Sequence, residues 1–255
     1  MTTPAAVLIN ADFNSMAAGA VTSDNWNAAV APTPAGNAAY GRMTVVNVGG
    51  VHGNVVRTSL AANTFGTGNG AAFTVPLPTA VDYACIGYDV RFDANFDWSD
   101  GGKLPGLQGV NPQTGTAPAG GARQYDGWSG RMMWLGPGAY RWAGPNNMGV
   151  SYMYYPNQPD DYGQNMRWNK EFVRNTWHSI KECYTMNTPG TADGVLQAWM
   201  DGTLVQDNHS FLYRQTASVH ANQIGWSLFR GGNTAAWAGA RGGFVDIDNL
   251  VVTGR

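Results

Sequence analysis

Charge is scarce in this 255-residue chain: Asp, Glu, Lys and Arg make up 13% of it, about half the usual share of a globular domain. Helical bundles, whose exposed faces are built from Glu, Lys and Arg, do not fit that poverty. Only two glutamates occur, Glu171 and Glu182, and they are not spaced as a pair on one strand. A glycoside hydrolase, which needs two carboxyl groups across the scissile bond, is therefore disfavoured. The four histidines, His52, His178, His209 and His220, have no metal-ligand spacing, and no G-x-S-x-G esterase elbow is present. No run approaches the ~18 apolar residues of a membrane span, so no membrane association is expected. The opening MTTPAAVLINADFN has no basic segment ahead of a long apolar run, and no export signal is read from it. A net charge of −2 lacks the basic stripe that nucleic acid requires.

Cysteine is almost as rare. Cys85 and Cys183 each sit inside a strand-like run. Two buried thiols are the expectation, because Cys is among the most buried residue types, with one inter-strand disulfide as the alternative.

What the chain has is glycine, 34 residues of it, with abundant Asn, Thr, Trp and Tyr. Period-two alternation recurs in RMTVVNV, AAFTVPL, DYACIGYDVRFD, GRMMWL, VSYMYY, WHSIKECYTM, VLQAWM, IGWSLFR and FVDIDNLVV, each bounded by Gly, Pro, Asn or Asp. That is a strand-and-turn signature. Asp201-Gly202 between two alternating runs predicts a tight hairpin. One helical turn is expected near DDYGQNMRW. Strands every ~8–12 residues without intervening helices predict an all-β protein, an antiparallel two-sheet jelly roll formed by residues 1–255 as a single domain. Gln108 to Gly127 is polar and rich in Gly and Pro, and reads as a binding loop or lid.

Lysine is represented by three residues, and one of them, Lys103, stands between a glycine pair and a proline turn in GGKLPGL. A phosphate-cradling loop does not account for it, since Leu104 follows where Ser or Thr is required. In WSGRMMW, Ser129 and Arg131 share one strand face, with Trp128, Met132 and Trp134 on the other. In SYMYYP, Tyr152 and Tyr154 likewise share a face. An arginine among methionines and tryptophans would be costly to bury unpaired, so its face is expected to be a polar cleft.

GGKLPGL, WSGRMMW and YMYYP, in that order, resemble the signature of the jelly-roll polysaccharide lyases of families fourteen and twenty, which include alginate and glucuronan lyases. The resemblance covers the chain from about Asp82 to its end. It implies β-elimination on a uronic-acid polysaccharide, with Lys103, Ser129, Arg131, Tyr152 and Tyr154 as the site. Arg131 and Lys103 would neutralise the sugar carboxylate and the developing enolate. Tyrosine would serve as base or acid, its pKa lowered from about 10 by nearby cations, with Lys103 able to share base duty.

Arg91, Arg123, Arg167, Trp128, Trp134, Trp142, Trp168 and His178 are candidates for substrate contact in an anionic, stacking groove. The partner is then an anionic polysaccharide met by a monomer; the substrate is extracellular, and the localisation is left open. No cofactor is required, and Asp246 and Asp248 are candidates for a structural calcium ion. The competing reading is a non-catalytic carbohydrate-binding or particle-surface jelly roll, which would explain the aromatics without the lysine–arginine–tyrosine set.

Overall fold

A computed structural model describes residues 3–30, 40–137 and 147–255. In chain order the elements are β1 (Ala6–Ala11), β2 (Gly19–Ala20), helix α1 (Ser23–Ala29), β3 (Met43–Gly49), β4 (Gly53–Leu60), β5 (Ala71–Val81), β6 (Tyr83–Phe92), β7 (Gly101–Lys103) and β8 (Gly106–Gly109). There follow β9 (Trp128–Leu135), β10 (Met148–Tyr154), β11 (Gln164–Glu171), β12 (Trp177–Thr185), β13 (Gly194–Met200), β14 (Thr203–Phe211), β15 (Ala221–Arg230) and β16 (Gly243–Gly254). Two antiparallel sheets result, an all-β jelly-roll sandwich. The first runs β14-β13-β12-β6-β16-β4-β3-β2, with β1 also on β16. The second runs β11-β10-β9-β7-β15-β5, with β8 between β15 and β9.

Alternation decides which side chains enter the core. Along β9, Trp128, Met132 and Trp134 point between the sheets, and along β15 so do Ile224, Trp226 and Leu228. They meet Ile86, Tyr88, Val90 and Phe92 of β6 and Ile180 and Tyr184 of β12. Fully burying such side chains is worth roughly 1.5–3 kcal/mol each, so this interior is the main support of the sandwich. The other face of β9, β10 and β15 is thereby left for a cleft.

The hairpin expected at Asp201-Gly202 joins β13 to β14, and both turn residues take positive φ, 52° and 74°. Two local expectations are corrected. The stretch DDYGQNMRW forms no helical turn; its second half is edge strand β11, because pairing with β10 satisfies its backbone. The cysteines are not free thiols. Cys85 on β6 and Cys183 on β12 lie directly opposite in the ladder and form a disulfide.

The segment after β8 is fastened rather than loose. Asp126 accepts from the backbone N–H groups of Gln215 and Thr216, and Asn111 Nδ2 donates to its carbonyl. The segment thus crosses the outer face of the second sheet as a fixed wall.

The cross-link closes a loop whose ends are 98 residues apart. Replacing both cysteines with alanine is expected to destabilise the protein by about 2–4 kcal/mol, read from denaturant unfolding with the far-ultraviolet spectrum retained.

Candidate active site

Lys103 ends β7, and the glycines around it have separate reasons to be glycine. A Cβ on Gly102 would lie 2.1 Å from the Trp134 ring, and one on Gly106 would lie 2.3 Å from the Gly130 carbonyl oxygen. The short strand can therefore press against β9 only without side chains at those positions. Leu104 and Leu107 enter the core, while Tyr88 Oη donates to the Pro105 carbonyl at 2.8 Å. Lys103 is left on the cleft side, half-buried, with Nζ donating to the Gly231 carbonyl at 3.3 Å. Its amine stands 5.0 Å from the centre of the Tyr152 ring.

Arg131 is buried on the same face of β9. Nη1 donates to Ser129 Oγ at 2.8 Å and Nε to Ser227 Oγ at 3.3 Å. Ser129 in turn donates to the Pro118 carbonyl at 2.6 Å, which ties the arginine to the wall segment. Among the described residues no carboxylate forms an ion pair with Lys103 or Arg131. Burial together with the Arg131 charge pulls the Lys103 pKa down to about 7. Burial also lowers that of Arg131, though a guanidinium stays charged.

Tyr152 and Tyr154 rise from β10 beside Arg131, Tyr152 being its direct cross-strand partner. Their hydroxyls are 3.2 Å apart. Each phenol oxygen also accepts a backbone N–H: Tyr152 from Gly163 at 3.2 Å, Tyr154 from Gly121 at 3.1 Å. One mutual hydrogen bond uses one of the two O–H protons and leaves the other to point into the cleft. The cations do not lower the Tyr152 pKa as expected. Desolvation outweighs Arg131, and the hydrogen bond with the Tyr154 hydroxyl adds to the rise, so Tyr152 keeps its proton.

Lys103, Arg131, Tyr152 and Tyr154 line one cavity of about 390 Å³, with Ser129 behind Arg131. Tyr162, Ser227, Phe229 and Asn233 line it too, and none of these is among the residues expected from the sequence. Ser227 and Phe229 were within reach of the alternation in IGWSLFR, which sets them opposite Trp226 and Leu228; Tyr162 and Asn233 sit in connections and leave no such signal.

Several anticipated contacts lie elsewhere. Trp128 is fully buried against Tyr184 and Tyr213, on the inward face of β9. Trp134 and Trp168 are also in the core. Arg91 belongs to the opposite sheet, where it and Arg57 hold both oxygens of Asp246. His178 is on that sheet too, accepting from Val173 N–H and bonded to Asp201. Arg123 is spent on the carbonyls of Asp160 and Gln158, outside the cavity. Arg167 lines a neighbouring groove with Leu135 and Gln164, and Trp142 lies outside the described residues. Of the two candidate calcium ligands, Asp246 accepts from the guanidiniums of Arg57 and Arg91, and Asp248 pairs with His52 at 2.7 Å.

Behind the cleft floor a second network faces inward. Glu182 on β12 is fully buried and accepts from the Tyr184 hydroxyl. A Cβ on Gly130 would lie 2.3 Å from Tyr184 Oη, which explains the glycine of WSGRMMW. Burial pushes the Glu182 pKa up to about 7.

An antiparallel sandwich carrying a buried basic and phenolic cluster on its open face is the architecture of a carbohydrate-active lyase, and the comparisons agree with it. The model of the family described as polysaccharide lyase 14 matches residues 52–249, and the chain belongs to that family. It is a polysaccharide lyase, cleaving a uronic-acid polysaccharide by β-elimination. Among solved structures, alginate lyase Aly36B is similar at 25% identity over 96% of this chain and 95% of that one, with a TM-score of 0.77. The alginate lyase of Aplysia kurodai is 23% identical over 92% of this chain and 97% of that one, with a TM-score of 0.75. The alginate lyase vAL-1 of a Chlorella virus is 16% identical over 83% and 89%, with a TM-score of 0.66. A search of curated proteins finds no match.

Glu182 gives a stability test with a definite sign. Its folded pKa, about 7, lies above the unfolded carboxyl value, so its charge costs the folded state nothing at low pH. The penalty grows as pH rises from about 4.5 to 7 and is complete above that. Glu182→Gln is expected to raise the melting temperature by roughly 2–6 °C at pH 8 and by almost nothing at pH 4.5.

Proposed function

We propose that this protein depolymerises alginate-type polyuronates, with Lys103 as the base, the Tyr152–Tyr154 pair as the acid and Arg131 as the carboxylate clamp. One observation carries the reading: two cations, Arg131 buried and Lys103 half-buried, have no carboxylate ion pair among the described residues and share a single cavity with a pair of phenols. An unpaired buried guanidinium is expensive, and a uronate carboxylate is the anion that would compensate it.

The uronate carboxylate docks on the Arg131 guanidinium, whose orientation is fixed by Ser129 and Ser227. Withdrawal of charge from that carboxylate acidifies C5–H. With a pKa of about 7, a large fraction of Lys103 is the free amine at neutral pH and can accept the C5 proton, becoming an ammonium. The electron pair of the C5–H bond forms the C4–C5 double bond, and the C4–O bond breaks. The phenol proton left over from the tyrosine pair goes to the departing glycosidic oxygen. Proton exchange with solvent then restores the amine and the phenol. The ammonium formed in the first step lies beside the developing enolate, so charge is stabilised where it appears. Alginate is preferred as substrate because the similar structures spanning nearly the whole chain carry that activity in their names.

Incubation with alginate and with glucuronan, followed by the ultraviolet absorbance of the unsaturated uronate end, tests the chemistry. Lys103→Ala and Tyr154→Phe are each expected to lower kcat by about 100-fold or more while leaving the melting temperature nearly unchanged. Hydrolysis without the chromophore, or full activity in both variants, contradicts the assignment.

The pH dependence has a sign. Since kcat/KM reports the free enzyme, it should rise through a single ionisation near pH 7 as Lys103 loses its proton. A Lys103→Arg variant, permanently charged, should be inactive throughout.

A further inference from the structure

The reacting cavity continues past Arg131 into a groove of about 370 Å³ that runs toward β5 beneath the segment following β8. Its floor holds two amides. Gln108, only 5% exposed, accepts from Gln223 Nε2 at 2.7 Å, and this bond fixes which way the Gln108 amide points. Gln108 Nε2 is then directed over Gly225, where a Cβ would come within 2.2 Å of it. The absence of a side chain at Gly225 is what gives the amide its place. No protein acceptor takes the two protons of that nitrogen among the described residues, yet it lines the groove. Thr74, Thr116 and Ser227 add hydroxyls around it.

The charge pattern of the groove is as informative as its donors. Arg131, at its inner end, is the only charged side chain lining it among the described residues, and that guanidinium also lines the cavity proposed for the reacting sugar. A free carboxylate placed at the Gln108 end would be partly desolvated with neutral donors alone. A hydroxyl or an ester carbonyl would satisfy the same amide without that penalty.

We propose that Gln108 and Gln223 form a sugar subsite adjoining the reaction centre that reads uncharged oxygen atoms, so that the enzyme accepts a neutral or esterified residue beside the uronate it cleaves. The inference rests on the lyase reading for the position of the reacting uronate. The subsite itself is a binding claim and is measured as binding.

The test uses 15N-labelled protein carrying Lys103→Ala, which removes the proposed base, and two trisaccharide probes. One is a tri-uronate; the other keeps the central uronate but has neutral hexoses on both sides. The side-chain amide signals of Gln108 and Gln223 are identified by their loss in Gln108→Leu and Gln223→Leu. The expected result is movement of both signals with both probes, a tri-uronate affinity no more than about threefold above that of the neutral-flanked probe, and about tenfold weaker binding of each in Gln108→Leu. Amide signals that stay still while a probe binds, a tri-uronate preference above about threefold, or no binding of either probe overturns the proposal. Failure of the lyase reading would show separately, as no unsaturated product when the wild-type enzyme meets any polyuronate.

Discussion

Two positive side chains share one cleft with no carboxylate among the described residues to hold them. Arg131 is kept in place by hydroxyls alone, those of Ser129 and Ser227, and Lys103 by one carbonyl, that of Gly231. Burying a charge without a counter-charge costs several kcal/mol in most proteins, and the usual remedy is an ion pair. The same chain uses that remedy elsewhere: Asp246 joins Arg57 and Arg91, and Asp82 holds Arg214. Arg230, fully buried, is held by the carbonyls of Ala61 and Asp97 instead, and in the proposed mechanism the cleft charges are compensated when the anionic sugar binds. Because Lys103 can shed its proton and Arg131 cannot, the two suit different parts of the proposed mechanism, Lys103 the base and Arg131 the clamp.

Holding that arrangement requires a stiff floor, and the sandwich supplies it from both sides. Trp134 occupies the space that the side chain of residue 102 would need, so the lysine strand sits tight on β9. Tyr184 does the same under Gly130, and its hydroxyl donates to the buried Glu182 beneath the cleft floor. From above, Gly121 and Gly163 fix the two phenol oxygens by backbone donation, so loop and strand together position the proposed acid.

Strand alternation made most of this legible in the sequence. The runs around Arg131, Tyr152 and Tyr154 showed which residues share a face, and the scarcity of lysine and glutamate narrowed the chemistry. Isolated aromatic and basic residues were less readable. Trp128, adjacent to Ser129, points into the core because one step along a strand reverses the side, and Arg91 and His178 belong to the other sheet altogether. The cysteine pairing depended on strand register, which no spacing of 98 residues encodes. Tyr162 and Asn233 reach the cavity from connections whose path is set by tertiary contacts rather than by local pattern. The rise in the Tyr152 pKa is hidden from the sequence for a related reason. Proximity to cations can be inferred from a shared cleft, whereas the depth of desolvation that outweighs them depends on the whole packed site.

The central claim is that Lys103 is a neutral amine for much of the population at physiological pH, and a direct titration of its side chain by NMR tests it most closely. The account predicts a midpoint near pH 7 in the wild-type protein, moving upward in Arg131→Met once the neighbouring positive charge is gone. A midpoint at the ordinary lysine value of about 10.4, unchanged by that substitution, would contradict it.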